Sequence, residues 1–222
     1  MTVSTEMQND VAVIGMDDGK KNVINHKVLD ELEAAFDRTE SDGAKAILFK
    51  GREGSFCAGY DISVMTGDDP DASTRLGKRG GLLAKRIFAS PVPVVGLSQG
   101  HGFTIGAVWL ACCDVCVGEE GLFKYGMTEV ASNVPLSAWA LEPLRAKLGA
   151  SHQVPAFRHS TIYASEGALA AGFIDRLVPS GEGFKEAMTA ASALAELPRH
   201  AYKATKLAMR KPILDIMTAQ LG

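Results

Sequence analysis

A chain of 222 residues with 46% hydrophobic content can bury a sizeable core and fits one domain, or one domain with a small appendage. The formal charge of -3 carries no basic bias toward nucleic acid, and no apolar run reaches the ~18 residues of a membrane span, so neither partner is expected. Met1-Thr2-Val3-Ser4-Thr5-Glu6 has no basic n-region or apolar h-region, and the 4 cysteines, lacking secretory features, point to reduced thiols in the cytoplasm.

Strand-like and helix-like patterns alternate along the chain, which predicts an α/β fold. Residues 11–16 read as a strand, stopped by Asp17-Asp18-Gly19-Lys20. Asn25 then caps a helix whose apolar face is Val28, Leu29, Leu32 and Phe36. A strand over 46–50 runs into Ser55-Phe56-Cys57-Ala58-Gly59-Tyr60-Asp61, read as a Gly-rich turn. Residues 66–71 are polar enough for a mobile surface loop, and 76–88 form a basic-faced helix ended by Ser90-Pro91. A strand over 92–97 leads into a second Gly-rich turn, Gln99-Gly100-His101-Gly102-Phe103-Thr104-Ile105-Gly106. A helix from Ile105 and a strand over 114–117 follow. From Leu136 the chain is mostly helical, with Pro179 to Gly183 as the expected boundary between a core of 1–178 and a helical segment of 179–222.

Two Gly-rich turns that each follow a buried strand can present backbone N–H groups outward. Brought side by side, they aim two amide protons at one oxygen, which is an oxyanion hole. The second turn also admits another reading. It follows a strand, opens a helix and precedes a strand ending at Glu119 and Glu120, close to a dinucleotide fingerprint and hence to an NAD-linked oxidoreductase. That reading leaves Ser55 to Asp61 unexplained.

The wording and order of these segments resemble the crotonase family, also called the enoyl-CoA hydratase/isomerase superfamily. Asn22-Val23-Ile24-Asn25 resembles the early segment lining the CoA tail, Ser55 to Ile62 the first oxyanion loop, and Pro91 to Gly106 the second. Ala111-Cys112-Cys113-Asp114 resembles the structural acidic turn, Phe123 to Glu129 the segment delivering a catalytic glutamate, and Ser165 to Asp175 completes the series with Lys206. The resemblance implies a ClpP-like fold of repeated ββα units with a helical C-terminal region. It implies oxyanion donors at the amides of Tyr60 and Ile105, with Thr104 as N-cap, and Glu129 as proton shuttle. Substrate contacts are implied at Asn22, Val23, Ile24, Cys57, Ala58, Gly59, Asp61, Ile62, Gly106 and Val108.

Hydratases of the family use two glutamates, and the place of the first is taken here by Val108. The resemblance therefore implies double-bond isomerisation over hydration, with a non-catalytic acyl-CoA-binding protein as the alternative. It implies no metal or separate cofactor, CoA being carried as part of the substrate, and a homotrimer or paired trimers. Met127, Val130 and Val134 are expected to desolvate Glu129. Asp114 is expected to accept turn amides, and Cys112, Cys113 and Cys116 to be buried small hydrophobes. His101 is expected to be structural. Lys20, Lys21 and Lys206 are candidates for CoA phosphates, and Phe103, Trp109 and Trp139 for acyl-pocket walls.

Overall fold

The computed structural model describes residues 2–222. β1 (Val3–Gln8) and β2 (Val11–Met16) form an antiparallel hairpin, β2 being buried along its whole length. After the short β3 (Val23–Ile24), α1 (His26–Ser41) starts where the Asn25 side chain accepts from the Val28 N–H at 3.1 Å, the expected cap. Then come β4 (Ala46–Lys50), β5 (Gly54–Cys57), β6 (Gly59–Tyr60), α2 (Ile62–Met65) and α3 (Pro70–Ala89). β7 (Val94–Ser98), β8 (Gly100–Phe103) and α4 (Ile105–Cys112) repeat that order, and β9 (Val115–Glu119), β10 (Lys124–Gly126) and α5 (Ala138–Lys147) repeat it again. The rest is α6 (Ala150–Arg158), β11 (Tyr163–Ala164), α7 (Ser165–Ala171), β12 (Arg176–Val178), α8 (Gly183–Ala195) and α9 (Arg199–Leu221).

Each repeat sends its first strand to one sheet and its second to another, so the fold is the expected series of ββα units. The larger sheet has the order β1-β2-β4-β7-β9-β12, parallel from β2 onward, and the smaller has the order β11-β10-β8-β5. β3 and β6 form a third, two-stranded parallel pair. Because side chains alternate along a strand, Ala46 and Leu48 pack on one face of the larger sheet against Ala187, Ala190 and Ala191 of α8. Ile47 and Phe49 face the other way, into the cluster holding Phe36, Phe56, Leu83, Ile87 and Trp109. α9 lies across α3 and α5.

Several boundaries differ from the sequence reading. The Gly-rich segments are strand over 55–57, 59–60 and 100–103, where turns were expected, and at Gly100 glycine allows a closer approach than a side chain would: a Cβ there would collide with the backbone of Gly54 and Ser55. Their glycines therefore serve a sheet before they serve a loop. α3 begins at Pro70, before the predicted 76, since the Asp69 carboxylate accepts from the Asp71 N–H at 2.9 Å and pairs with Arg75. The strand expected over 114–117 is β9, from 115 to 119, with Asp114 just outside it. The strand expected over 92–97 starts at Val94, after Pro93, which has no N–H to give.

Candidate active site

The smaller sheet creates the site. β5, β8 and β10 lie side by side and parallel, with Cys57 opposite Gly102 and Gly126 opposite Phe103, so their carboxyl ends share one edge. From that edge leave Ala58-Gly59-Tyr60, Thr104-Ile105 and Met127-Thr128-Glu129. The three segments predicted to carry the chemistry are thereby neighbours. A bulge at Phe56 in β5 adjusts the exit of the first.

The first two segments touch. Gly59 has φ 105, and a Cβ there would lie 2.5 Å from Thr104 Oγ1; a Cβ on Gly106 would lie 2.6 Å from that of Cys57. The Gly59 N–H donates to Cys57 Sγ at 3.4 Å and the Asp61 N–H donates to Ile24 O at 2.8 Å. Successive N–H groups of an extended segment point to opposite sides, so the intervening Tyr60 N–H points away from β3. Ile105 is the first residue of α4, where N–H groups have no intrahelical acceptor and the helix dipole is positive. The Tyr60 and Ile105 amides thus flank the contact between Gly59 and Thr104.

Thr104 departs from expectation. It occupies the N-cap position of α4, but its side chain makes no capping hydrogen bond. Its backbone is left-handed, φ 49 and ψ -119, and Oγ1 is buried without a partner.

Glu129 lies just past β10, where a 3-10 turn (Val130–Ser132) begins. Its Oε2 is likewise buried without a partner, and burial raises the carboxyl pKa, opposed by its own amide and that of Thr128. Met127 is buried as expected, while Val130 and Val134 are each 44% exposed. Val108, one turn into α4, is 1% exposed.

The other predicted contacts divide by how they are engaged. Val23 and Ile24 pair with Gly59 and Tyr60, and the Ala58 N–H donates to Lys21 O at 3.1 Å. The Asn22 amide is committed to the scaffold: Nδ2 donates to Met16 O, Ser55 O and Phe56 O, while Oδ1 accepts from the Asp18 N–H. Asp61 caps α2 through the Ser63 N–H, the Ser63 hydroxyl foremost and then that N–H hold its carboxyl below the usual range, and Ile62 is 75% exposed. Burial pushes the Cys57 thiol up to about 12, so it packs as a neutral group.

Lys206 is not available to a CoA phosphate. Its side chain is 4% exposed and bonds Asp114 at 2.7 Å; the same carboxylate meets Arg210 at 3.1 Å and accepts from the Val94 N–H at 2.7 Å. Asp114 is therefore the structural acceptor expected of it. Lys20 and Lys21 are exposed. Cys112, Cys113 and Cys116 are buried free thiols. His101 Nδ1 accepts from the Lys124 N–H at 3.0 Å and its ring stacks on Phe103, a structural arrangement. Glu119, needed for a ribose hydroxyl in the dinucleotide reading, is buried and accepts from the Gly183 N–H and Gln99 Nε2.

Sequence reasoning misses the seat of the Tyr60 ring. The phenol donates to Gly77 O at 3.4 Å and lies where a side chain on Gly80 would stand, while Trp109 Nε1 donates to Gly80 O at 3.1 Å. Burial, then the nearby Cys57 and Glu129, raise the phenol's pKa. The available signal was Gly77-Lys78-Arg79-Gly80-Gly81, glycines that weaken a helix unless something packs against them.

A family model described as enoyl-CoA hydratase/isomerase matches residues 6–221. The chain belongs to the enoyl-CoA hydratase/isomerase family. Membership makes it an enzyme of the crotonase superfamily, and its relatives carry both activities in their names. It is 24% identical to human mitochondrial enoyl-CoA delta isomerase 1 over 213 residues, 95% of this chain and 70% of that protein. An apo structure described as an enoyl-CoA isomerase of Mycobacterium tuberculosis matches at 32% identity and TM-score 0.94, covering 99% of this chain and 96% of its own. The enoyl-CoA hydratase EchA3 of Mycobacterium ulcerans Agy99 matches at 30% identity and TM-score 0.96, covering 100% of this chain and 96% of its own. A name borrowed from the relatives does not choose between the two reactions.

Proposed function

We propose that this crotonase moves the double bond of an enoyl-CoA, with Glu129 as its one proton carrier, in preference to adding water. The observation that carries the reading is the buried, unpartnered carboxylate oxygen of Glu129, just past the strand that pairs with the one leading into α4, with apolar Val108 one turn along that helix. In a 3-enoyl-CoA, the Glu129 carboxylate takes a proton from C2. The C–H electron pair forms a dienolate whose charge rests on the thioester oxygen, between the N–H groups of Tyr60 and Ile105. Glu129 then returns the proton to C4, and the double bond ends between C2 and C3. A raised carboxyl pKa suits both halves, since the group must be a competent base and then a competent acid.

Hydration makes a different demand, because water must be deprotonated while a proton is delivered to carbon, and Val108 can do neither. The thioester carbonyl is itself the electron sink, so no metal or redox cofactor belongs to this reading. The CoA moiety is assigned to backbone of 22–24 and 57–62, and a homotrimer or paired trimers completes the proposal. The test compares 3-enoyl-CoA isomerisation, followed as formation of the conjugated thioester, with hydration of crotonyl-CoA. Isomerisation is expected to dominate; dominant hydration would reverse the assignment, and tight CoA-ester binding with neither reaction would favour a binding protein.

A further inference from the structure

Asn22, expected from the sequence to touch substrate, is engaged elsewhere. It is 2% exposed and has φ 53, a left-handed backbone that asparagine tolerates better than most residues with a side chain. Its Nδ2 donates to Met16 O at 3.0 Å and to Ser55 O and Phe56 O at 3.1 Å each, and its Oδ1 accepts from the Asp18 N–H at 2.9 Å. One buried amide therefore ties together the end of β2, the loop after it and β5. Two of the three carbonyls belong to the bulge, where Phe56 falls between Ser55 and Cys57 of the register with β8. A bulge takes its extra residue out of the ladder, and the polar groups there need other partners. Asn22 supplies one.

The backbone on either side of Asn22 holds the same segment further along. Lys21 O accepts from the Ser55 hydroxyl at 2.7 Å and from the Ala58 N–H at 3.1 Å, while Val23 and Ile24 pair with Gly59 and Tyr60 of β6. Residues 21–24 thus lie along 55–60 as a splint, bonded before and after the exit from β5. With Nδ2 shared among three carbonyls, the Asn22 side chain has no donor left for CoA. We infer that Asn22 is a positioning residue for the oxyanion hole: by fixing the bulge and β6 from one point, it aims the Tyr60 N–H at the thioester oxygen without touching substrate. The inference rests on the proposed function, which makes that N–H a donor, and it gives Asn22 a role in kcat rather than in holding CoA.

Asn22→Gly removes the amide and keeps the backbone, since glycine adopts the left-handed region freely. Ser55→Ala removes one bond of the splint and leaves Asn22 in place. Asp114→Ala, one residue past the far end of α4 from Ile105, is the control for lost stability alone. Each is compared with wild type by thermal unfolding, by kcat and KM for 3-enoyl-CoA isomerisation at a temperature where the proteins are folded, and by the ultraviolet enolate band of bound acetoacetyl-CoA. A misaimed donor predicts that Asn22→Gly lowers kcat about 100-fold and weakens the band, with KM little changed, and that Ser55→Ala does the same to a lesser degree. Asp114→Ala should unfold at a lower temperature and keep both kcat and band. A raised KM with intact kcat in Asn22→Gly would make the residue a CoA contact and overturn the inference. So would a kcat loss in Asp114→Ala as large as in Asn22→Gly, which would reduce the effect to stability. If Asn22→Gly does not fold, Ser55→Ala decides, and wild-type kcat and band in that variant overturn the inference. Wild-type protein that neither isomerises a 3-enoyl-CoA nor binds acetoacetyl-CoA as its enolate would instead overturn the proposed function, and this inference with it.

Discussion

Replacing Gly59 with alanine tests whether the two oxyanion segments are pressed together as described. The new Cβ would enter at 2.5 Å from Thr104 Oγ1, and alanine would have to hold φ 105. The backbone strain costs about 1–3 kcal/mol and forcing a methyl into filled space about 1–3 kcal/mol more. The sum of about 2–6 kcal/mol, at roughly 2–4 °C per kcal/mol for a chain of this size, lowers the unfolding temperature by about 4–24 °C. Thr104→Ala removes Oγ1 and leaves Cβ at 3.6 Å from the new methyl, an ordinary contact. The double variant should therefore recover the steric half of the loss but not the backbone half. Thermal unfolding of the four proteins gives the coupling, and calorimetry with crotonyl-CoA reports the displaced Tyr60 amide as lost affinity. A Gly59→Ala protein with wild-type unfolding and wild-type affinity would refute the close contact.

Ile105→Val should keep most activity because the backbone N–H is the working group, whereas Gly106→Pro should abolish it by restricting Ile105 and driving the ring into Cys57; steady-state rates decide, and the reverse ranking would assign the effect to the side chain. Asp114→Ala leaves Lys206 and Arg210 without their shared carboxylate, a buried-pair loss of about 3–5 kcal/mol that denaturant unfolding would register; an unchanged midpoint would mean the pair contributes nothing. Glu129 has a folded pKa raised above its ordinary 4.5, so the folded state holds the proton more tightly than the unfolded chain does. Its favourable protonated form is fully present below 4.5 and is lost as pH rises through the raised folded value. Glu129→Gln should accordingly raise the unfolding temperature at neutral pH and lose that advantage in acid; equal gains at both pH values would contradict a strained carboxylate.

Much of the site was legible because it is written in backbone. Gly59, Gly106 and the buried strands before them announce where amides can be exposed, and the spacing to Glu129 follows from one more strand of the same sheet. Asn25 and Asp114 were also legible, since capping and turn-bonding depend on neighbours close in sequence or on a single buried carboxylate. What was hidden depends on contacts across long separations. Nothing in the sequence separates Lys206 from a surface lysine until α9 folds back to bring it against Asp114. Thr104 reads as a helix cap by local rules, and only its left-handed backbone and the approach of Gly59 turn the hydroxyl elsewhere. The glycines of 100–103 read as a turn because sheet packing, not local preference, makes them a strand.

The central claim is that one buried carboxylate moves one proton within the acyl chain. Its most direct measurement is the rate of 3-enoyl-CoA isomerisation beside that of crotonyl-CoA hydration, for wild type and Glu129→Gln in the same buffer. The glutamine keeps shape and polarity while removing the titratable group. The account predicts that wild type isomerises much faster than it hydrates, and that glutamine slows isomerisation by about 100- to 10,000-fold. Rapid crotonyl-CoA hydration by wild type, unslowed in Glu129→Gln, would contradict it and place the proton carrier elsewhere.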